Sequence, residues 1–391
     1  MNTPSSSLYL KRGREKPLLN QHPWVFSGGI QRLEGEPQAG DVVAVRASDG
    51  TLLGQGFYHP ESQIRVRMLC FDSRPIDAEF FQQRLQRAVG WRLAHLSDTD
   101  ARRLVHAEAD GLPGLVVDQY ADVLVLQIST AGMQQRKELL CEALRQLCNP
   151  RLIVERSEAP ALAAEGLEPV RAVIWGAGST EVMITEAGVR LELDVLQGQK
   201  TGFFVDQRDS RILLGKLSKG KNLLNCFAYT GGFSVHAALQ GASCTSVEIS
   251  QKAQDQAMRN FALNGLDPAN HHFETANVFD FLRDMQPAYD VIILDPPAFV
   301  KQRKHLPKAC RAYQDINRLA MFQSRPDGLL LTCSCSHYLD WDLFQKILFA
   351  AALEAGREVQ IIQRLGQPMD HPVSLFHPEG EYLKAFLLRV L

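Results

Sequence analysis

The chain has 391 residues, 45% of them hydrophobic, more than one ordinary core holds and enough for two or three domains. Charged residues make up 22% and the formal net charge is -2, which excludes a uniformly basic nucleic-acid binder, so any RNA contact must come from local basic patches. No run of 18 apolar residues occurs, which predicts no transmembrane helix. The polar start predicts no secretory leader and a cytoplasmic setting. Eight scattered cysteines, none in CxxC spacing, read as reduced thiols and not as a metal site.

Residues 1–75 read as short strands broken by turns, a small β-barrel. Strands are predicted over 41–45, 53–58 and 63–70, separated by Gly40, Asp49-Gly50 and His59-Pro60. Ile64, Val66 and Met68 alternate with Arg65 and Arg67, the pattern of a half-buried strand. Trp24 and Phe26 are read as barrel core rather than as stacking platforms for bases. Residues 76–188 read as an α/β middle domain. It opens with a helix over 77–96 whose Phe80, Phe81, Leu85, Val89 and Leu93 recur at helical spacing. A hairpin over 115–118 and 123–128, a helix over 134–147, a strand over 151–155 and a second hairpin around Gly188 follow. From 189 to 391 strands (222–225, 245–249, 290–294, 328–333, 359–364, 382–390) alternate with helices (233–240, 252–264, 343–355). Such alternation predicts a Rossmann-like, doubly wound α/β sheet.

In such sheets ligands bind beyond the carboxyl ends of the strands, and three segments fall there. The first is Asn225-Cys226-Phe227-Ala228-Tyr229-Thr230-Gly231-Gly232, a strand-to-helix turn whose glycines let backbone approach a ligand. The second is Glu248, ending the next strand, where a carboxylate can accept from both hydroxyls of a ribose. The third is Asp295-Pro296-Pro297. The full GxGxxG fingerprint is absent, which argues against NAD and its pyrophosphate. Together these segments resemble the nucleoside-binding half of class I methyltransferases. That resemblance assigns Phe227, Tyr229, Thr230, Gly231, Glu248 and Asp295 to the cofactor site. Asn277 then stands after the next strand, where the family often has Asp near the adenine.

The strand beside Asp295 carries Leu331-Thr332-Cys333-Ser334-Cys335-Ser336-His337. It puts a thiol at the ligand end of the sheet. C5 of a pyrimidine is a poor nucleophile, and its methylation needs thiolate attack at C6 to create an enamine-like intermediate. Asp295 would then contact the N3/N4 edge of cytosine. In methyltransferases of exocyclic amines an aromatic residue directly follows the two prolines. Here Ala298 does, with Phe299 next, which disfavours amine methylation. Phe299 is read either as a stacking platform for the target base or as packing under its loop.

Thr201-Gly202-Phe203-Phe204-Val205-Asp206-Gln207-Arg208, the Phe227–Gly232 turn, Asp295-Pro296-Pro297, Ser334-Cys335-Ser336 and Pro378-Glu379-Gly380-Glu381-Tyr382-Leu383-Lys384 resemble the RlmI-type 23S rRNA 5-methylcytosine methyltransferases over essentially the whole chain. The resemblance implies an N-terminal PUA barrel, a small middle domain and a Rossmann-like catalytic domain. It implies S-adenosylmethionine as donor and a cytosine of large-subunit rRNA as acceptor. It puts the nucleophile on Cys335, with Cys333 the runner-up, and lines the cofactor pocket with Gln207 and Arg208, which the residues alone read as a polar loop. Many RNA 5-methylcytosine enzymes carry a second cysteine where this chain has Ala298.

Two basic patches stand out. Lys11, Arg12 and Arg14, with Lys16, lie in the first domain; Lys301, Arg303, Lys304, Lys308 and Arg311 follow Asp295-Pro296-Pro297 with no acid between them. A basic loop beside a catalytic pocket suits a phosphate backbone held while a base is flipped in. The expected partner is 23S rRNA or a large-subunit assembly particle, without a membrane, and the oligomeric state is left open between monomer and homodimer. The competing readings are methylation of another base position and an RNA-binding assembly factor without catalysis.

Overall fold

Strand Ile64–Cys70 forms where the alternation of Ile64, Val66 and Met68 predicts it. The computed structural model describes residues 4–158, 160–284, 289–300 and 302–391. Its contacts divide the chain into two compact units, Met1–Ile184 with Leu193–Val205 and Met369–Gly380, and Thr185–Glu192 with Asp206–Pro368 and Glu381–Leu391.

The first unit holds two sheets. The N-terminal one has six strands in the order Trp24–Phe26, Ile64–Cys70, Leu52–Tyr58, Val42–Arg46, Ser7–Leu10, Ile30–Glu34. Only the pair Ser7–Leu10 and Val42–Arg46 runs parallel. Its core is Leu8, Leu10, Val25, Val43, Val45, Tyr58, Val66 and Met68. The expectation for Trp24 and Phe26 is corrected. Phe26 is 51% exposed, and Trp24 is half-buried with its indole N–H donating to Glu108 at 2.9 Å. In this strand the inward position is Val25, so its two aromatic neighbours face away.

The second sheet is ordered Val170–Gly176, Leu152–Ser157, Val123–Ile128, Leu115–Tyr120, Ala101–His106. Helices Ala78–His95 and Lys137–Cys148 share its core, Phe81, Leu85 and Leu144 packing with Leu115, Val117 and Leu126. Asp77 caps the first helix by accepting from the Phe80 N–H at 3.0 Å. Leu93, expected on the buried face, is 45% exposed. The buried position is Arg92, whose guanidinium donates to both Asp110 oxygens at 2.7 and 2.9 Å. Steps of four from Leu85 and Val89 drift around a helix of 3.6 residues per turn, and a paired arginine fills the gap.

In the second unit seven strands form one sheet: β1 (Asn222–Cys226), β2 (Ser243–Glu248), β3 (His272–Thr275), β4 (Tyr289–Leu294), β5 (Ser324–Ser334), β6 (Val359–Leu365) and β7 (Lys384–Val390). The order is β3-β2-β1-β4-β5-β7-β6. β3 to β5 pair parallel through β2, β1 and β4, whereas β7 runs antiparallel to both β5 and β6. Val291, Ile292, Ile293 and Leu294 are all fully buried, the signature of a strand covered on both faces. The helices are α1 (Arg208–Leu217), α2 (Gly232–Ala238), α3 (Gln251–Leu263), α4 (Val278–Arg283), α5 (Leu306–Gln323) and α6 (Trp341–Ala355). Among the described residues no helix is long and apolar enough to cross a membrane.

Two helices correct the sequence reading. Gln207 and Arg208, read as a polar loop, are the N-cap and first residue of α1. The stretch from Arg303 to Arg311, read as a basic loop, is a 3-10 turn over Arg303–His305 followed by the start of α5. Pro307 suits the first turn of a helix, and the buried Ala309, Tyr313, Ile316 and Ala320 supply the apolar stripe.

Candidate active site

The turn after β1 is held in an uncommon conformation. Phe227 and Tyr229 have φ of 60° and 47°, and Gly231 has 77°. Each non-glycine residue there costs about 1–2 kcal/mol of backbone strain, which neighbouring contacts must offset. The Tyr229 N–H donates to Glu248 Oε2 at 3.0 Å, and the Ser250 N–H donates to Oε1 at 3.1 Å. Asn260 on α3 donates to the Thr230 carbonyl at 2.9 Å. A Cβ on Gly231 would lie 2.9 Å from that of Ala257, so glycine permits both the positive φ and the close approach to α3. Glu248 is thus fixed at the end of β2 with lone pairs to spare for further donors. Thr230 lies buried in the same turn.

Gln207 and Arg208 are both buried. The Gln207 side chain favours the ionised form of the Cys333 thiol, though less than burial opposes it, while its Oε1 has no partner among the described residues. Tyr382 donates its hydroxyl to Asp206 Oδ2 at 2.7 Å. Asn277 is exposed, and its Oδ1 accepts from the Phe279 N–H at 2.9 Å as the N-cap of α4, leaving the amide NH2 as the donor toward a ligand. Thr332 Oγ1 and Ser336 Oγ, at the carboxyl end of β5, are buried without partners among the described residues. Unsatisfied polar atoms at the ligand end of a sheet suit a polar ligand such as a nucleoside.

Leu294 pairs with Thr332 in the parallel register of β4 and β5, which brings Asp295 and the Cys333–Cys335 segment to neighbouring strand ends. Cys333 is fully buried, and burial, then the charge of Asp295, pushes its thiol well above the usual range. Cys335 is half-buried. Between the two cysteines, Ser334 donates to the hydroxyl of Tyr313 at 3.0 Å. Tyr313, from α5, is fully buried; burial pushes its phenol up, and the charges of Cys335 and Asp295 push in the same direction. Phe299 packs on Tyr313 with ring centroids 4.7 Å apart, and lies 6.1 Å from Phe279. The packing reading of Phe299 is the one these contacts support. Tyr313 was not singled out in the sequence, although it sits on the apolar stripe of α5.

Arg303, Lys304, Lys308 and Arg311 are exposed, and none makes an ion pair among the described residues. Lys301 lies outside the described residues. In the first unit Lys11, Arg12 and Arg14 are exposed, with Lys11 Nζ donating to the Gly28 carbonyl at 3.0 Å. Thr201, first residue of the motif ending at Arg208, serves a structural contact in that unit, donating to the buried Asp118 at 2.6 Å.

A sheet of this strand order, with a glycine turn after β1 and an anchored carboxylate ending β2, is the architecture of the S-adenosylmethionine-dependent methyltransferases. The profile described as "S-adenosylmethionine-dependent methyltransferase" matches residues 102–389, and one described as "PUA-like domain" matches residues 8–71. The chain is 46% identical to ribosomal RNA large subunit methyltransferase I of Shewanella denitrificans over 97% of its own length and 98% of the relative's. It is 44% identical to the protein of the same name from Klebsiella pneumoniae strain 342, with 98% of each chain covered. The solved structure of SMU.776 complexed with SAH superposes with a TM-score of 0.85 over 98% of this chain and 100% of that one; at 23% identity this shows the fold. The chain therefore belongs to the S-adenosylmethionine-dependent methyltransferase family, in the group of the ribosomal RNA large subunit methyltransferase I proteins. Its methyl donor is S-adenosylmethionine.

Proposed function

We propose that the chain methylates C5 of a cytosine in 23S rRNA, free or within a large-subunit assembly particle, through a covalent bond between Cys335 and C6 of the base. The name shared by the curated relatives supports the rRNA part of this reading. The observation that carries the chemistry is a half-buried thiol, Cys335, at the end of β5 beside Asp295 at the end of β4. Cys333 is a poorer nucleophile, because it is sealed from solvent and its thiol is held protonated by burial and by Asp295.

Attack of the Cys335 thiolate forms the S–C6 bond and shifts the C5–C6 π pair onto C5, making that carbon nucleophilic. Bound S-adenosylmethionine would supply a methyl group made electrophilic by its sulfonium, with the neutral thioether S-adenosylhomocysteine as the leaving group. After C5 is methylated its proton leaves to a base, the π bond re-forms, and the C6–S bond breaks to restore the thiolate. Asp295 is assigned to the N3/N4 edge, where a carboxylate accepts from the exocyclic amine and stabilises the protonated ring. Glu248 accepts from the ribose hydroxyls of the donor, with Gln207, Arg208, Phe227, Tyr229, Thr230, Gly231 and Asn277 around it. Arg303, Lys304, Lys308 and Arg311, together with Lys11, Arg12 and Arg14, hold phosphates. The division into a PUA-like domain (1–75), a middle domain (76–188) and a catalytic domain (189–391) belongs to the same proposal.

Methyl transfer from labelled S-adenosylmethionine to rRNA lacking its modifications, followed by nucleoside analysis, tests it. Label in 5-methylcytidine with the wild type and none with Cys335→Ala is expected. Label in another nucleoside, or undiminished activity of Cys335→Ala, overturns the reading.

A further inference from the structure

Lys384, the first residue of β7, is 3% exposed. Burying an ammonium is costly unless a counter-charge meets it, yet Lys384 forms no ion pair among the described residues. Its Nζ donates to two backbone carbonyls, Ser336 at 2.7 Å and Tyr382 at 2.8 Å. The nearby acids are otherwise engaged. Glu381 accepts from the Trp341 indole at 2.9 Å, and Asp340 caps α6 by accepting from the Leu343 N–H at 2.8 Å. The antiparallel register pairs Lys384 with Ser334. The ammonium is therefore tied to the residue after Cys335 and paired in register with the residue before it.

We propose that Lys384 is a positioning residue whose buried ammonium is the fixed counter-charge of the Cys335 thiolate. The inference rests on Cys335 being the nucleophile and adds what keeps it ionised. Burial pushes the Lys384 ammonium down, and the negative charge of Cys335 pushes it back up, so the two charged forms support each other. Other groups around the two cysteines work against the thiolate or are neutral. Asp295 from β4 and Asp206 before α1 are acids, Cys333 on β5 and Tyr313 from α5 are kept protonated by burial, and burial pushes His337 toward its neutral form. Among the described residues Lys384 is thus a cation whose charge meets that of Cys335. It keeps its proton throughout; the thiol proton goes to solvent before the attack, and the thiolate returns when the C6–S bond breaks.

The test is the pH dependence of Cys335 alkylation by iodoacetamide in the full-length protein, followed at the Cys335 peptide by mass spectrometry. In the wild type the midpoint is expected at least one unit below the ordinary thiol value of about 8.5. In Lys384→Met it is expected at or above that value, a loss of at least tenfold in thiolate near neutrality, with Lys384→Arg restoring most of it. Methyl transfer by Lys384→Met is expected to recover as pH rises, whereas a merely structural lysine would give a loss independent of pH. An ordinary wild-type midpoint overturns the proposal without any variant, as does an equal midpoint in folded Lys384→Met. Activity surviving in Cys335→Ala while the midpoints still differ would instead remove the nucleophile reading and leave the ion pair standing.

Discussion

Cys333 and Cys335 stand two residues apart and differ in access, so substitution separates them. If the target cytosine carries fluorine at C5, no proton can leave and the Cys–C6 bond persists. RNA containing 5-fluorocytidine is expected to give a denaturant-resistant protein–RNA adduct with the wild type and with Cys333→Ala. The latter loses on the order of 1 kcal/mol of stability through missing packing. Cys335→Ala is expected to give no adduct; an adduct retained there and lost in Cys333→Ala would reverse the assignment. Glu248 is the second residue with a sharp consequence. Its carboxylate holds the strained turn through the Tyr229 N–H and its own strand end through the Ser250 N–H, and hydrogen bonds to a charged group contribute about 1.5–3 kcal/mol. Glu248→Gln is expected to weaken S-adenosylmethionine binding about 10- to 100-fold by calorimetry, and an unchanged Kd would detach this carboxylate from the donor site. Glu248 and the glycine turn were legible because strand, turn, helix and strand-end acid follow one another in local order. Tyr313 was not, and Lys384 stood only as the end of a family motif, because α5 and the antiparallel β7 set them beside the end of β5, which local order does not reveal.

Among the elements, α5 is oddly charged at its start. Arg303 and Lys304 in the preceding turn and Lys308 and Arg311 on the helix gather where the helix dipole is already positive, with no acidic residue in the first turn. A cation in or just before the first turn costs roughly 0.3–1 kcal/mol. By contrast Arg318, further along, is paired with Asp315 at 2.7 Å. An unpaired cluster at the unfavourable end is stabilised when an anion binds, which suits a phosphate backbone. Replacing all four by glutamine is expected to lower the slope of log K against log salt by about 3 for single-stranded RNA, at roughly 0.7 per contact. Filter binding across a salt series would read this, and an unchanged slope would remove α5 from the RNA surface. The charge of this segment was legible and its helix was not, because five cations and a proline masked the apolar stripe of Ala309, Tyr313, Ile316 and Ala320. Helix α1 was missed for a related reason, since buried Arg208 and Arg211 occupy its inner face where apolar residues are expected.

Across the whole molecule the chain passes between its two units at 184/185, 192/193, 205/206, 368/369 and 380/381, a pattern that alternating strands and helices cannot reveal. The short segment Thr185–Glu192 belongs to the second unit and carries Glu186, a fully buried carboxylate. Arg211 on α1 donates to both of its oxygens at 2.7 and 2.6 Å, and His236 Nε2 on α2 lies 3.1 Å from Oε1. Burial alone would raise the carboxyl, but the charge and hydrogen bonds of Arg211, aided by His236, outweigh it and hold it at about 2. A folded-state value below the unfolded one means that the unfolded chain binds the proton first. The stabilisation is therefore complete above the ordinary glutamate range and is lost as pH falls toward 2. Glu186→Gln removes the carboxylate charge from the buried Arg211 and is expected to cost about 3–5 kcal/mol at pH 7. The stability gap between wild type and variant should then narrow steadily in urea melts below about pH 4.5, the wild type losing stability faster. A gap that stays constant down to pH 3 would mean that Glu186 carries no proton-linked share of the fold, and that the Arg211–Glu186–His236 cluster acts by packing alone.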